Sequence, residues 1–311
     1  MNKNDKVYIA GHRGMVGSAI LRLLQREGFT NIITKTRQEL DLTNQEKTAE
    51  FFYREKPEIV IIAAAKVGGI NANMKQQADF LYHNLMIQNN LIYQSYISGV
   101  KKLCFLGSSC IYPRECPQPI KEEHLLTGPL EPTNEGYAIA KIAGYKLCYY
   151  YAKQYGMNTV SLMPCNLYGQ NDSFDLENCH VLSALVKRFT DAADKGNTEV
   201  TLWGSGKPRR EFLHVDDLAR AVFFIMNNWN APEIVNVGSG SDIAISELAG
   251  KISLHSGFRG KINWDTGKPD GMMRKCMDVS KISGMGWKPS ISLDEGIKEM
   301  VNEYRKIRKQ G

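Results

Sequence analysis

The 311-residue sequence lacks any apolar run that approaches the roughly 20 residues needed to span a bilayer. Its N-terminus has only a short apolar segment before a glycine-rich stretch, which is unlike a secretory signal. The formal net charge of +6 is spread along the chain, without the basic blocks or aromatic–basic alternation typical of nucleic-acid binding. We therefore expect a cytoplasmic protein that uses neither a membrane nor a nucleic acid as partner.

Cysteines are present without the spacing of a disulfide framework or of a structural zinc site. There are 7 of them, an odd number, and no two are separated in a C-x-x-C pattern. We expect reduced thiols and no bound metal. Most should be small buried apolar groups, among them Cys104, Cys148, Cys165 and Cys276.

The N-terminal segment combines a strand, a glycine turn and a helix. Residues 6–10 predict a short buried strand and residues 19–24 an apolar-periodic helix, with three glycines between them. Glycines there let the backbone approach a diphosphate, which backbone N–H groups and the helix N-terminus stabilise. The spacing is G-x-x-G-x-x-G rather than the more frequent G-x-G-x-x-G. The predicted dinucleotide-binding residues of the turn are Gly11, His12, Arg13, Gly14, Met15, Val16 and Gly17.

The second predicted strand, residues 31–34, is followed by Arg37 and has no acid directly at its end. A site for NAD usually offers a carboxylate to the ribose 2′-OH, whereas an arginine accommodates the 2′-phosphate of NADP. Arg37 and Arg13 together therefore favour NADP(H). We expect Asp41, with Leu42, to contact the adenine region of that cofactor.

Continuous apolar runs at residues 58–65 and 102–107 predict central parallel strands covered on both faces. Residues 79–98 and 137–155 predict long helices that are apolar on more than one side. One side would cover the sheet, and we expect the other to contact a second subunit, giving a homodimer. A thick hydrophobic core within the monomer is the alternative.

Tyr137 and Lys141 lie four residues apart and so share a helix face. A cation beside a phenol favours the phenolate and lowers its pKa from about 10, which makes tyrosine a usable proton donor and acceptor. Ser108 follows the strand at 102–107, at the edge where open α/β sheets place their reactive crevice. We predict that Ser108 polarises a carbonyl oxygen while Tyr137 delivers a proton to it as a hydride reaches the carbon.

Longer motifs surround these residues and extend over nearly the whole chain. They lie at residues 10–19, 63–69, 106–113, 131–135, 137–144, 203–206, 210–217 and 268–271. On these motifs the chain resembles the extended short-chain dehydrogenase/reductase family, and within it the GDP-sugar epimerase-reductases. The resemblance implies an α/β fold, a Rossmann-type doubly wound parallel sheet with a smaller C-terminal α/β substrate lobe. It also implies NADPH-dependent reduction of the C4 ketone of a GDP-4-keto-6-deoxy sugar.

The same resemblance implies 3,5-epimerisation before reduction. A C4 ketone acidifies the hydrogens on C3 and C5, because loss of either gives an enolate with its charge on the C4 oxygen. The family pattern places the required base and acid on Cys110 and His180. Further cofactor contacts are implied for Ala63, Ala64, Ala65, Lys141, Asn166, Leu167 and His180. Contacts to the GDP-sugar are implied for Arg188, Trp203, Arg210, Asp270 and Lys275. Cys165 and Gly136 depart from the residues expected there.

The two lobes are expected to be interleaved in sequence. Residues 1–168 with about 212–240 would bind NADP, and about 169–211 with 241–311 would bind the GDP-sugar. Within the first, residues 212–227 predict a helix and 234–238 a strand that returns to the sheet.

Three functions remain open from the sequence. The first is a bifunctional epimerase-reductase forming GDP-L-fucose or a close analogue. The second is a C4 reductase alone, acting on a related substrate such as a GDP-4-keto-heptose in surface polysaccharide synthesis. The third is a non-catalytic dinucleotide-binding sensor, which the complete set of Ser108, Tyr137 and Lys141 disfavours.

Overall fold

The computed structural model describes residues 1–175, 179–268 and 270–310. Its strands are β1 (Val7–Ala10), β2 (Ile32–Ile33), β3 (Ile59–Ile62), β4 (Lys102–Leu106), β5 (Thr159–Pro164), β6 (Asn166–Tyr168), β7 (Glu199–Trp203), β8 (Arg209–His214), β9 (Ile234–Val237), β10 (Asp242–Ala244), β11 (Lys261–Asp265) and β12 (Arg274–Lys275). Its α-helices are α1 (Met15–Arg26), α2 (Gln45–Glu55), α3 (Ile70–Lys75), α4 (Gln77–Ile97), α5 (Glu135–Tyr155), α6 (Val181–Asp194), α7 (Val215–Asn228), α8 (Ile245–Ser256), α9 (Ser280–Gly284) and α10 (Leu293–Gln310).

The main sheet has six parallel strands in the order β2-β1-β3-β4-β5-β9. From β1 the chain crosses to β2 on one side and then to β3 on the other, so a crevice opens beyond their carboxyl ends. Every residue of β1 and β3 is buried, which explains their continuous apolar sequences. Helices α1 and α7 pack together, as do α2, α4 and α5. The predicted Rossmann-type α/β fold is confirmed.

Helices α4 and α5 each begin two residues before the predicted start, and they pack side by side. Helix α5 is capped by Gly156, which directly follows its last residue. The φ of 70° at Gly156 lets its N–H donate to carbonyl oxygens of the last turn. Each helix buries one side and leaves large apolar side chains exposed on the other. The exposed ones are Tyr82, Tyr93 and Ile97 on α4 and Ile139, Tyr150 and Tyr155 on α5.

Some predicted elements differ from the observed ones. The strand at 58–65 is shorter, since β3 ends at Ile62 and the three following alanines continue without strand pairing. The helix predicted from Phe212 begins instead at Val215, because residues 212–214 belong to β8 and pair in parallel with Asn166–Tyr168. Three residues such as Phe212, Leu213 and His214 are too few to distinguish a strand from a first helical turn.

The smaller α/β lobe is formed by β6, β7, β8, β10, β11, β12, α6, α8 and α10. Strand β8 is paired with β10, β12 and β6, and β7 is paired with β11. Helices α6, α8 and α10 pack on one another around a separate apolar core that includes Phe189, Leu248 and Ile297. Among the helices of the described ranges, none is both long enough and apolar enough to cross a bilayer.

Candidate active site

The turn between β1 and α1 has the backbone shape that a diphosphate requires. Gly11 has a φ of 87°, and a Cβ there would lie 2.6 Å from the Ala64 nitrogen, so glycine is needed. A Cβ at Gly14 would meet only the Gly11 oxygen at 3.5 Å, so this side of the turn is open. Gly14 provides no side-chain cap, and the first N–H groups of α1 have no acceptor within the helix. The turn therefore fits an anionic cofactor.

The polar groups beyond β2 surround the site predicted for the adenosine end. Arg13 and Arg37 are exposed. Burial and then the charge of Arg13 lower the pKa of His12. Asp41 accepts hydrogen bonds from the nitrogen and hydroxyl of Thr43 at 3.0 and 2.8 Å, and these bonds, with the charge of Arg37, lower its pKa. Asp41 thus stabilises its own turn and lies near a cation.

Ser108, Tyr137 and Lys141 converge at the carboxyl end of β4. The Ser108 hydroxyl oxygen accepts from the Cys110 nitrogen at 3.3 Å, and the Ser108 side chain also forms a hydrogen bond with the Cys110 side chain. Tyr137 lies in the first turn of α5, and the Lys141 Nζ is 5.7 Å from its ring centroid. The same Nζ donates to the Leu106 carbonyl oxygen at 2.8 Å. The carbonyl at the end of β4 therefore fixes the lysine beside the tyrosine.

The expected lowering of the Tyr137 pKa is not found. Burial raises the pKa of the phenol, and burial also lowers the pKa of Lys141 to about 8. Desolvation disfavours both charged forms, and this effect exceeds the attraction between a cation and a phenolate. At neutral pH the pair therefore consists of a protonated phenol and an ammonium group.

Cys110 joins this cluster from the short 3₁₀ helix Ser109–Ile111. Its thiol is buried, and burial raises its pKa, while the charges of Lys275 and Lys141 act in the opposite direction. The other cysteines predicted to be buried are also buried, namely Cys104, Cys148, Cys165 and Cys276. In the described ranges no group of three or more His, Cys, Asp and Glu side chains is arranged to hold a metal ion.

His180 lies at the start of α6, directly before Val181, and its side chain is exposed. It interacts electrostatically with Asp172. Burial raises the pKa of Asp172, and this effect exceeds the opposing effects of a hydrogen bond from the Ser183 hydroxyl and of His180. The structure thus places His180 at the N-terminal end of a helix of the small lobe, where it interacts with Asp172.

Three of the residues assigned to the GDP-sugar lie together. Lys275 of β12 is paired directly with Arg210 of β8. Burial lowers the pKa of both cations, and the charge of Asp270 opposes this effect at Arg210. Asp270 accepts hydrogen bonds from the nitrogen and hydroxyl of Ser205 at 2.8 and 2.6 Å. Two half-buried cations beside an ordered carboxylate form a site suited to an anionic ligand that also carries hydroxyl groups.

The other two assigned residues lie along β7. Trp203 is 63% exposed, and the Lys268 ammonium is 5.7 Å from its ring centroid. Arg188 donates to the Thr201 carbonyl oxygen at 3.4 Å. An exposed indole next to cations can stack on a flat ring. These residues therefore extend the cationic site along the surface of the small lobe.

The remaining cofactor positions flank the crevice. Ala63, Ala64 and Ala65 follow β3 and are partly exposed, and the Ala63 nitrogen donates to the Ala10 oxygen at 3.0 Å. Asn166 and Leu167 lie in β6, and the Asn166 side-chain amide donates to the Glu211 backbone oxygen at 2.8 Å. Both groups thus border the edge at which β1, β3 and β4 end.

The two unusual residues have structural explanations. A Cβ at Gly136 would lie 2.6 Å from the Gln77 oxygen, and the Gly136 nitrogen donates to the Gln77 side chain at 3.0 Å. Glycine therefore lets the start of α5 contact the start of α4. Cys165 is buried, and its sulfur lies 3.7 Å from the Asn166 oxygen.

Glu211 lies within the motif at residues 210–217, but sequence reasoning assigned it no role. It is a fully buried acid in β8, next to Arg210. Its hydrogen-bond donors are backbone groups from two distant segments, so no local pattern of residue types identifies it. A buried charge in the middle of the strand that carries Arg210 is nevertheless a feature of this site.

Residues 7–238 match the model of a family described as the NAD dependent epimerase/dehydratase family. The chain belongs to this family. The glycine turn, the six-stranded parallel sheet and the Ser108–Tyr137–Lys141 cluster all lie within the matched region.

Within this epimerase/dehydratase family, the chain is similar to proteins named for GDP-sugars. It is 57% identical over 304 residues to a putative GDP-L-fucose synthase 2 of Arabidopsis thaliana, covering 98% of this chain and 93% of that one. It is 48% identical over 302 residues to the GDP-L-fucose synthase of Escherichia coli (strain K12), covering 94% of each. A Campylobacter jejuni structure, described as a GDP-D-glycero-L-gluco-heptose synthase in the presence of NADPH, has a TM-score of 0.92 and 40% identity. The match covers 98% of this chain and 99% of the Campylobacter jejuni chain.

Proposed function

We propose that the protein reduces the C4 ketone of a GDP-4-keto-6-deoxy sugar with NADPH after epimerising C3 and C5, so that its product is GDP-L-fucose or a close analogue. The observation that carries the proposal is the convergence of Ser108, Cys110, Tyr137 and Lys141 near the half-buried Arg210–Lys275 pair. Relatives with about half of their residues identical are named GDP-L-fucose synthases.

NADP(H) is the cofactor of this function. The uncapped start of α1 and the open side of Gly14 would hold its diphosphate. Arg13 and Arg37 would bind its 2′-phosphate, and Asp41 its adenine region. When bound, NADPH supplies the hydride. Asn166, Leu167 and the three alanines after β3 border the space where the nicotinamide end would lie.

In the reduction, the chain's own residues act on the C4 oxygen. The Ser108 hydroxyl donates a hydrogen bond that polarises the ketone. Tyr137, whose pKa is raised by burial, holds its proton at neutral pH and gives it to the same oxygen. The Lys141 ammonium then lies beside the tyrosine oxygen as negative charge develops there.

In the epimerisation, the same two hydroxyl groups stabilise the enolate that forms when C3 or C5 loses its hydrogen. Cys110 and His180 supply the base and the acid. Lys275 and Lys141 favour the thiolate form of Cys110 against the effect of burial. Arg188, Trp203, Arg210, Asp270 and Lys275 hold the GDP portion of the sugar nucleotide.

The test follows deuterium into substrate and product. The protein is incubated with GDP-4-keto-6-deoxy-mannose in heavy water, without and with NADPH, and analysed by NMR. Deuterium at C3 and C5 before NADPH is added supports the bifunctional reaction. Efficient NADPH consumption with no deuterium at either carbon would rule out the epimerase step.

A C4 reductase acting on a GDP-4-keto-heptose is the second candidate. It is favoured by the similarity to the Campylobacter jejuni heptose synthase, at 40% identity and a TM-score of 0.92. The same incubation with a GDP-4-keto-heptose discriminates the two. Faster NADPH oxidation with the heptose, without exchange on either sugar, would favour this candidate. Failure to oxidise NADPH with either sugar would instead favour a non-catalytic sensor.

The assembly we propose is a homodimer through α4 and α5. Its support is the exposed apolar side chains of these helices, such as Tyr82 at 60% and Tyr150 at 58% exposure. Sedimentation that gives a monomer at micromolar concentration would exclude it. We further propose that the protein works in the cytoplasm and supplies a sugar nucleotide for polysaccharide synthesis. Its NADP(H)-binding lobe would comprise residues 1–168 with about 212–240. Its GDP-sugar-binding lobe would comprise about 169–211 with 241–311.

A further inference from the structure

Glu211 is a completely buried acid that the proposed reaction does not use. One carboxylate oxygen accepts from the Gly240 nitrogen at 2.6 Å and lies 3.5 Å from the Ser239 hydroxyl. The other accepts from the Met277 nitrogen at 2.8 Å. Its side chain also fills the space above Gly238, where a Cβ would overlap it. One carboxylate therefore joins β8 to the turn after β9 and to the segment after β12.

The partners of Glu211 require a group that accepts on both oxygens. Both Gly240 and Met277 present backbone N–H groups, which can only donate. A carboxylate accepts from both, whereas a glutamine amide has one acceptor oxygen and would place its NH₂ against an N–H. A glutamine there would leave one buried N–H without an acceptor, which costs about 1–3 kcal/mol.

The position of Glu211 links it to the substrate cations. Arg210 is the preceding residue of β8, and successive side chains of a strand point to opposite faces. Lys275 is the register partner of Arg210, and Met277 follows two residues later. The bond from Met277 to Glu211 therefore fixes the end of the segment that carries Lys275. The backbone oxygen of Glu211 also accepts from Asn166, on the cofactor side.

We propose that Glu211 is a positioning residue for the GDP-sugar site, whose carboxylate holds the Arg210–Lys275 strand pair against the Gly238–Gly240 turn. This inference rests on the proposed assignment of Arg210 and Lys275 to the GDP-sugar. The acid touches neither substrate nor cofactor. It acts by fixing the distance between two cations that bind one diphosphate.

Protonation of this carboxyl group couples substrate affinity to pH. Burial raises the pKa of Glu211 to about 7. The titratable groups that face it are the thiols of Cys165 and Cys276, whose pKa values are raised, so both remain neutral. Below pH 7 a proton occupies one oxygen and weakens one of the two backbone contacts. Burial also lowers the pKa of Lys275, so this cation loses its charge more readily as pH rises. Its loss weakens binding at high pH, which is opposite to the effect of Glu211.

The test uses GDP-mannose, a stable GDP-sugar whose diphosphate does not titrate near neutral pH. Its Kd is measured by calorimetry with the wild type and with Glu211→Gln, and the Kd of NADPH is measured in parallel. We expect Glu211→Gln to raise the Kd for GDP-mannose about tenfold and to leave that for NADPH within about twofold. Lowering the pH from about 8 to about 6 should weaken GDP-mannose binding in the wild type and not in this variant.

The matched control is Asp217→Asn. Asp217 is also fully buried and accepts from two backbone nitrogens, of Ser290 at 2.9 Å and of Ile291 at 3.0 Å. It is also paired with Arg220, and its partners lie in α7 and before α10 rather than beside β9 or β12. Both substitutions should lower Tm, but Asp217→Asn should leave the Kd for GDP-mannose unchanged. Glu211→Asp, which keeps both oxygens on a shorter side chain, gives a second measurement if Glu211→Gln does not fold.

The outcomes separate this inference from the proposed function. An unchanged Kd in the Glu211 variants, or an equal weakening by Asp217→Asn, overturns the role of Glu211 and leaves the proposed function intact. If the wild type itself does not bind GDP-mannose, the assigned substrate class fails, and the inference with it. Selective weakening in the Glu211 variants supports it.

Discussion

The ammonium of Lys141 donates a hydrogen bond to the carbonyl oxygen of Leu106 at 2.8 Å. Leu106 is the last residue of β4, so the end of the sheet fixes the cation beside the ring of Tyr137. The contact also keeps a charged group within a buried cluster, where burial has already lowered its pKa to about 8. The charge of this lysine therefore changes within the range in which the protein can be assayed.

The rate of reduction should fall as pH rises through about 8, since Lys141 is charged below its folded-state pKa and neutral above it. Lys141→Met should remove this alkaline limb and lower kcat by about 100-fold or more. A pH profile of NADPH oxidation at saturating substrate measures both effects. Lys146→Met, on the same helix beside Tyr145, is the control and should keep the wild-type profile. An unchanged alkaline limb in Lys141→Met would contradict the assignment.

Cys110→Ser should retain NADPH binding and lose deuterium exchange at C3 and C5, because a hydroxyl is a much weaker acid than a thiol. Tyr137→Phe should chiefly lose reduction, by about 100-fold or more. Exchange should fall less, because the Ser108 hydroxyl still stabilises the enolate. NMR of the exchange reaction and NADPH oxidation are measured on both variants. Equal loss of both steps in both variants would show that the two residues do not divide the work in this way.

Arg37→Ala should raise the KM for NADPH about tenfold and change that for NADH little, because only NADPH carries the 2′-phosphate. The control is Arg54→Ala, which removes an exposed arginine paired with Glu50 at 3.6 Å on the neighbouring helix. Steady-state kinetics with both cofactors provide the measurement. The assignment of Arg37 fails if both KM values rise equally.

Gly136→Ala should lower the free energy of unfolding by about 1–3 kcal/mol, since the added Cβ would lie 2.6 Å from the Gln77 oxygen. Gly250→Ala is the matched control, because it lies within a helix and its Cβ would meet no atom within 4 Å. That substitution should stabilise the protein by about 0.4–1 kcal/mol. Thermal and urea unfolding measure both. Similar effects of the two alanines would mean that α4 and α5 adjust to the added atom.

The sequence was most informative where local patterns decide the structure. The strand, glycine turn and helix of residues 6–24 form as predicted, because buried runs and glycines act within a few residues. Residues 212–214 were assigned to a helix and form a strand, since their pairing with β6 depends on a segment more than 40 positions away. The Tyr137 pKa was predicted in the wrong direction because a four-residue spacing reports proximity and not burial. The role of Glu211 was missed because its hydrogen-bond partners, Gly240 and Met277, lie in distant segments of the chain.

The strand β9 completes the main sheet although β6, α6, β7, β8 and α7 separate it from β5 in the chain. During synthesis, β1 to β5 are therefore complete while one edge of the sheet still awaits residues 234–237. Neither lobe can be obtained by cutting the chain once, because any single cut before Ile234 removes a sheet strand and any cut after it divides the small lobe. We expect the ribosome to release a chain whose two lobes finish folding together rather than one after the other.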